Sequence, residues 1–117
     1  MRTLSAGRLR RWVAFEVLVV DLDSDGAAVE TWVPAFSTNH VMPCEITPIS
    51  GHELMAAAAL QSVVTHRIKT RYRDGFTARM RATERGVVYN IEAVIPDPDS
   101  GIRFVTLLAS SGASPGN

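Results

Sequence analysis

The chain has 117 residues with 12 basic and 12 acidic side chains, so its formal net charge is zero. This length fits one domain, and the 46% share of hydrophobic residues is enough for one core. No apolar run approaches the ~18 residues that a membrane-spanning helix needs. The single cysteine, Cys44, excludes an internal disulfide. We therefore expect one domain without a membrane segment that folds around its hydrophobic core.

The first predicted elements are two strands joined by a turn. Residues 15–20 and 29–33 are rich in β-branched and aromatic side chains, which is typical of strands. Residues 21–26 between them are dense in Asp, Ser and Gly, as turns are. We predict a hairpin here, followed by a loop that Pro34 and Pro43 bracket.

A short helix is predicted after a third strand at residues 45–47. Ser50 and Glu53 have the spacing of a capping box, and strong helix formers follow them. A helix over about residues 50–62 must be held by packing, since so short a helix is marginal alone. Its face for close packing comprises Ala56, Ala57, Ala58, Ala59 and Leu60.

Four more strands complete the predicted set. Six or seven short strands with one inserted helix favour a small barrel or sandwich over a βαβ sheet. We assign residues 1–109 to this single domain and residues 110–117 to a flexible tail, because the tail is rich in Ser, Gly and Ala. The four strands are residues 66–73, 79–85, 87–95 and 102–108, with turns at residues 74–75 and 96–101.

The charges are unevenly distributed along the chain. No Lys or Arg occurs between Trp12 and His66, a stretch with seven acidic residues. Residues 67–85 hold seven basic residues and two acidic ones. Such asymmetry concerns the partners of a protein more than its fold. Five of the early acidic residues belong to the predicted hairpin: Glu16, Asp21, Asp23, Asp25 and Glu30.

Basic residues recur at alternate positions of the strand at residues 66–73. Because successive strand side chains point to opposite faces, these bases are predicted to share one face. If this strand forms a hairpin with the next one, like charges lie opposite one another, and each such pair costs about 0.2–1 kcal/mol. The hairpin face would hold Arg67, Lys69, Arg71, Arg73, Arg79 and Arg81.

Three interpretations of this basic face stay open. It can be a solvated surface, it can bind nucleic-acid phosphate, or it can face the acidic hairpin of the same chain or of a neighbouring copy. Opposite charges on two patches of one molecule favour head-to-tail association, which can close into a ring.

No constellation of residues predicts catalysis. Residues 21–26 resemble the start of a calcium-binding loop, but the twelfth position, which needs a bidentate Glu, is Trp32. Cys44 lies beside Glu45, whose charge would raise the thiol pKa, and we expect a buried, inert thiol. We predict no catalytic residue, no metal and no cofactor. A hydrolase would need a nucleophile with a base in reach.

Three segments in the same order resemble the phage head–tail joining family, also called head-closure or stopper proteins. The first is residues 6–10 (AGRLR), and the second is residues 48–53 (PISGHE), which follow residues 30–32 (ETW). The third is residues 65–73 (THRIKTRYR), continued by Gly75, residues 80–81 (MR) and residues 89–94 (YNIEAV). The resemblance implies a mostly β fold: a small six- to seven-stranded antiparallel β-barrel with one short inserted α-helix.

The resemblance also implies a place in the virion. Similar proteins are made in the bacterial host cytoplasm and form a homo-oligomeric ring of six or twelve copies at the head–tail interface. Such a ring binds the portal–adaptor ring, closes or gates the exit channel of the packaged DNA, and receives the tail terminator or another tail protein. A channel-facing loop would comprise Phe36, Ser37, Thr38, Asn39, His40, Val41 and Met42. An N-terminal basic contact would comprise Arg8, Arg10 and Arg11.

A second class of function fits the same residues. A small β-barrel with a basic face can bind nucleic acid outside any virion. Such a module would bind DNA as a monomer with a steep salt dependence. A ring subunit would show little affinity before assembly.

Overall fold

The computed structural model describes residues 6–49 and 64–111, which form seven β-strands and one short 3-10 helix, Ala6–Arg8. No α-helix occurs within these two ranges. The predicted helix at residues 50–62, with Ala56, Ala57, Ala58, Ala59 and Leu60, lies outside the described residues. The strands are β1 (Arg11–Leu22), β2 (Ala28–Pro34), β3 (Val41–Pro48), β4 (His66–Arg71), β5 (Met80–Glu84), β6 (Val87–Pro96) and β7 (Phe104–Ser111).

Six of the strands close into an antiparallel barrel. Their order around the barrel is β1-β3-β4-β7-β6-β5, and the pairing of β1 with β5 closes the circle. β1 pairs with two barrel strands: its residues 11–14 pair with β3, and its residues 14–17 pair with β5. This arrangement confirms the mostly β, antiparallel barrel that the sequence predicts.

The barrel interior is filled by apolar side chains that alternate with outward polar ones. On β4, Ile68 is fully buried, whereas the flanking Arg67 and Lys69 are half-buried on the outer side. Phe15 and Leu107 are also fully buried. Burial of each large apolar side chain contributes about 1.5–3 kcal/mol. The bases of β4 therefore alternate with apolar residues because one face of the strand is buried in the barrel and the other faces outward.

β1 is longer than the barrel, and its second half projects with β2 as a hairpin. The register runs from Glu16 opposite Pro34 to Leu22 opposite Ala28. The Oδ1 atom of Asp23 accepts hydrogen bonds from the N–H groups of Asp25 and Ala27, both at 2.9 Å. The predicted first hairpin is confirmed and is longer than expected. With this projection, the described part measures 55 × 35 × 25 Å.

The predicted second hairpin is wrong. β4 lies between β3 and β7, whereas β5 lies between β1 and β6. The reason is Phe76, which follows the turn at residues 74–75: its ring packs edge-on against Phe15 and Phe36, with centroids 5.1 and 5.2 Å away. The chain therefore crosses the end of the barrel instead of returning along β4. The six predicted cations do not share one face: Arg67, Lys69 and Arg71 lie on β4, Arg73 follows it, Arg79 precedes β5 and Arg81 lies on β5.

β3 begins at Val41, four residues earlier than predicted, so Val41 and Met42 are strand residues rather than loop residues. Pro43 is compatible with the strand because the β3–β4 pairing starts one residue later, at Cys44 opposite Thr70. The carbonyl of Pro43 accepts a 2.9 Å hydrogen bond from the buried Thr70 hydroxyl. β7 likewise continues to Ser111 and includes the first two residues of the predicted tail.

Candidate functional site

The projecting hairpin, defined as residues 18–32, is the most exposed apolar part of the described chain. Beyond Val17, no described strand pairs with the side of β1 that faces β5, and none pairs with the outer edge of β2. Leu22 is 72% exposed and Val20 is 58% exposed. An exposed apolar hairpin with open strand edges is a surface that other chains can bind.

The same hairpin carries only negative charge. Asp21, Asp23, Asp25 and Glu30 are all exposed on it, and it contains no basic residue. Four of the five predicted acidic contact residues therefore lie together near the tip. The fifth, Glu16, stands at the root of the hairpin, on the outer side of the part of β1 that belongs to the barrel.

An ion pair joins the root of the hairpin to the barrel. The Nε atom of Arg81 donates a hydrogen bond to the Oε1 atom of Glu16 at 2.9 Å. The Arg81 guanidinium also lies 4.2 Å from the centre of the Trp32 ring on β2. Glu16 and Arg81, both predicted for contacts between subunits, therefore meet within one chain. The pair lies directly across the β1–β5 ladder.

A groove lies on the outer face of β4, β7 and β6. Its volume is about 520 Å³. The Nζ atom of Lys69 lies 4.5 Å above the Phe104 ring, so the base covers an apolar floor. Arg71 continues the basic row, opposite Phe104 in the register. The lining residues of this outer groove are Arg67, Lys69, Ile95, Pro96, Pro98, Phe104, Thr106 and Leu108.

The residues of the predicted channel-facing loop differ in their exposure to solvent. Phe36 is buried, whereas Ser37, Thr38 and Asn39 are exposed and His40 is half-buried. The loop is attached to the barrel by Arg73, whose guanidinium lies 3.9 Å from the Phe36 ring centre. The Nη1 atom of Arg73 also donates hydrogen bonds to the carbonyls of Thr38 and Asn39, at 3.3 and 3.0 Å.

The N-terminal arginines contact groups of their own chain. Arg8 lies 3.1 Å from a carboxylate oxygen of Glu45. The Nε atom of Arg10 donates to the carbonyl of Gly7 at 2.7 Å. Arg11 binds both carboxylate oxygens of Glu84, at 2.9 and 2.6 Å.

The Arg11–Glu84 pair closes one end of the barrel interior. Glu84 is in phase with the inward-facing Met80 and Ala82 and is 5% exposed. The hydrogen bonds from Arg11 lower the pKa of Glu84 below its ordinary value. The same contact raises the pKa of Arg11. Sequence alternation along β5 is the signal by which this inward carboxylate could have been found.

Cys44 is fully buried, as the sequence predicts for this thiol. Burial raises its pKa to about 12. The neighbouring Glu45, whose charge was expected to raise this pKa, points to the opposite face of β3. Within residues 6–49 and 64–111, no group of three or more His, Cys, Asp or Glu side chains could hold a metal ion.

No described helix has the length and apolar character to cross a membrane. The profile of a protein family described as "Phage head completion protein" matches residues 4–112. No curated protein matches the chain. The solution structure of protein SF1141 from Shigella flexneri 2a is similar, with a TM-score of 0.75 and 26% sequence identity. The similarity covers 95% of this chain and 99% of that one.

Proposed function

Because this chain belongs to the phage head completion protein family, we propose that it is a subunit of the ring that joins the filled head to the tail. The family places the protein among the structural components of the phage head and tail. We extend this role to a homo-oligomeric stopper ring of six or twelve copies. That ring binds the portal–adaptor ring on one side and a tail protein on the other, and it gates the DNA exit channel.

The observation that best supports this role is the presence of two unlike surfaces on one small barrel. The projecting hairpin is apolar and acidic, whereas the outer groove is apolar and basic. A small domain whose interior is filled with side chains offers its outer surface for function. Such surfaces suit a protein that acts by holding neighbours in place.

The exposed part of the loop between β2 and β3 is proposed to face the channel. It comprises Ser37, Thr38 and Asn39, beside the half-buried His40, and none of these residues carries an acidic group. Phe36 and Arg73 attach this loop to the barrel, so its position follows that of the barrel. A loop attached in this way gives a ring of copies a defined opening around DNA.

Deletion of the gene tests the proposed function. We expect a strain without it to accumulate packaged heads that lack tails, and we expect the purified protein to restore infectivity when added to an extract of those heads. The measurements are electron microscopy of the heads and the titre after complementation. Infectious particles from the deletion strain, at the normal titre, would overturn the proposal.

Nucleic-acid binding is the second candidate, because Arg67, Lys69 and Arg71 form an outward row on β4. A gel shift of duplex DNA by the isolated protein at 50 and 200 mM salt separates the two functions. A DNA-binding module that makes three phosphate contacts through this row loses about 40-fold in affinity over this range, and more with each further contact. A ring subunit shows little binding at either concentration before it assembles.

A further inference from the structure

We propose that the projecting hairpin of one copy binds in the outer groove of a neighbouring copy, so that the copies associate head to tail. This inference rests on the proposed function, because it says how the ring is built. The partner is a second copy of this chain. The contact joins residues 18–32 of one copy to the face of β4, β7 and β6 on the next.

The first argument is the position of the two surfaces. In the six-stranded circle, the neighbours of β1 are β3 and β5, and the neighbours of β7 are β4 and β6. β1, which extends into the hairpin, and β7, at the centre of the groove, therefore lie on opposite sides of the barrel. Two complementary surfaces on opposite sides produce a heterologous contact, which closes into a ring when its rotation divides the circle.

The second argument is charge. The hairpin carries Asp21, Asp23, Asp25 and Glu30 without a base, and Arg67, Lys69 and Arg71 follow one another along the outer side of β4. A symmetric contact between two hairpins would bring eight carboxylates together, and one between two grooves would bring their bases together. Only the unlike pairing places opposite charges face to face.

The third argument is the apolar surface beside the charges. Val20 and Leu22 are exposed on one face of the hairpin, and they alternate with Val19 and Asp21 on the other face. The groove offers Ile95, which is 44% exposed, and the half-buried Leu108 beside its bases. A contact that joins apolar residues at its centre and charges at its rim has the composition of a specific protein interface.

Cross-linking of introduced thiols tests the contact directly. The native Cys44 is fully buried and does not compete. We expect heads completed with the double variant Leu22→Cys and Leu108→Cys to give a ladder of covalent multimers with a bifunctional maleimide. Either single variant should stay monomeric on a denaturing gel. A dimer from Leu22→Cys alone would indicate a contact between two hairpins and would overturn the proposal, as would the absence of a ladder in infectious particles of the double variant.

Charge reversal and its rescue form the second test. Asp25→Lys with Glu30→Lys is the hairpin variant, because Asp25 lies in the turn and Glu30 lies opposite Val20 on the apolar face. Asp23 is left intact because it holds the turn. Lys69→Glu with Arg71→Glu is the groove variant. Each should lower the titre in the complementation assay about 10-fold or more, since like charges then face each other. The protein carrying all four substitutions should recover most of the titre.

Arg79→Glu is the control, because Arg79 is exposed on the turn before β5 and does not line the groove. It reverses the same type of charge and should leave the titre unchanged. Failure of the combined variant to recover, with all variants folded by circular dichroism, would overturn the head-to-tail contact and leave the proposed function standing. Normal infectivity of the deletion strain would overturn the proposed function instead.

Discussion

At the scale of single residues, the ion pair between Arg11 and Glu84 shows how a charged group can lie inside a small barrel. Glu84 points inward because β5 alternates, and it lies at the end of the barrel where Arg11 can reach it from solvent. Arg85 approaches the same carboxylate at 3.5 Å from the outside. Two positive charges therefore lie close to one buried carboxylate. A charged side chain can be buried in a protein when opposite charges and hydrogen bonds replace its lost hydration.

Glu84→Gln should lower the free energy of unfolding at pH 7 by about 2 kcal/mol, between the values for exposed and fully buried pairs. The pKa of Glu84 is lowered in the folded state. Its stabilising effect is therefore complete above the ordinary carboxyl pKa and is lost as the pH falls through the lowered folded value. Urea unfolding of both proteins at several pH values measures this.

The wild-type advantage should thus shrink in acid. An advantage over Glu84→Gln that stays constant from neutral pH to pH 3 would contradict the role of the carboxylate charge. Arg85→Gln is the matched control, because its side chain is largely exposed and its removal leaves the bidentate Arg11 contact intact. We expect it to change stability by less than about 0.5 kcal/mol.

At the scale of elements, the segment between β4 and β5 covers the end of the barrel opposite to the Arg11–Glu84 pair. Phe76 packs with Phe15 and Phe36, and Arg73 holds the loop between β2 and β3. Gly75 makes this crossing possible, since its φ is +107° and a Cβ atom there would lie 3.1 Å from the Phe36 ring. Sequence alone indicates a turn at this position but not where the chain goes afterwards.

Gly75→Ala should destabilise the fold by about 2–3 kcal/mol, because it combines backbone strain with a displaced Phe36. Gly86→Ala is the control: Gly86 also has a positive φ, +82°, but a Cβ there meets nothing within 4 Å. The control should cost about 1 kcal/mol from the backbone alone. Thermal unfolding of both variants measures the difference. Equal losses of stability in the two variants would show that the contact with Phe36 does not contribute to the effect of Gly75→Ala.

At the scale of the whole molecule, the hairpin extends beyond the strand pairs that close the barrel. The closure of the barrel uses β1 only up to Val17, opposite Met80. The projecting hairpin therefore adds surface without completing the core. Exposed apolar patches of this kind are typical of surfaces at which proteins bind one another.

Replacement of residues 19–31 by a two-residue Asn-Gly turn should leave the barrel folded, because all six barrel strands keep their partners. We expect a cooperative thermal transition within about 5 °C of the wild type, since a loss near 1 kcal/mol shifts the midpoint by that amount. The shortened protein should fail to complete heads. Loss of the cooperative transition would show that the hairpin belongs to the folding unit.

The sequence by itself determined the local features of this protein. Alternation placed Arg67 and Lys69 on one side of a strand and Ile68 on the other, and Asp-rich residues with Gly26 marked the turn of the first hairpin. Its motifs also pointed to the family. These features depend on neighbours within a few residues, so a linear pattern contains them.

Only the tertiary structure decided which strands are neighbours. The pairing of β1 with β5 and of β4 with β7 joins residues that are tens of positions apart. Because of these pairings, Arg81 lies opposite Glu16 on β1 and not beside the bases of β4. Phe104 and Leu108 of β7 lie next to Lys69 and Arg67 of β4. The physical reason is that the order of the strands depends on burying the apolar faces of all strands in one core. The pattern of a short segment cannot specify which distant segments share that core.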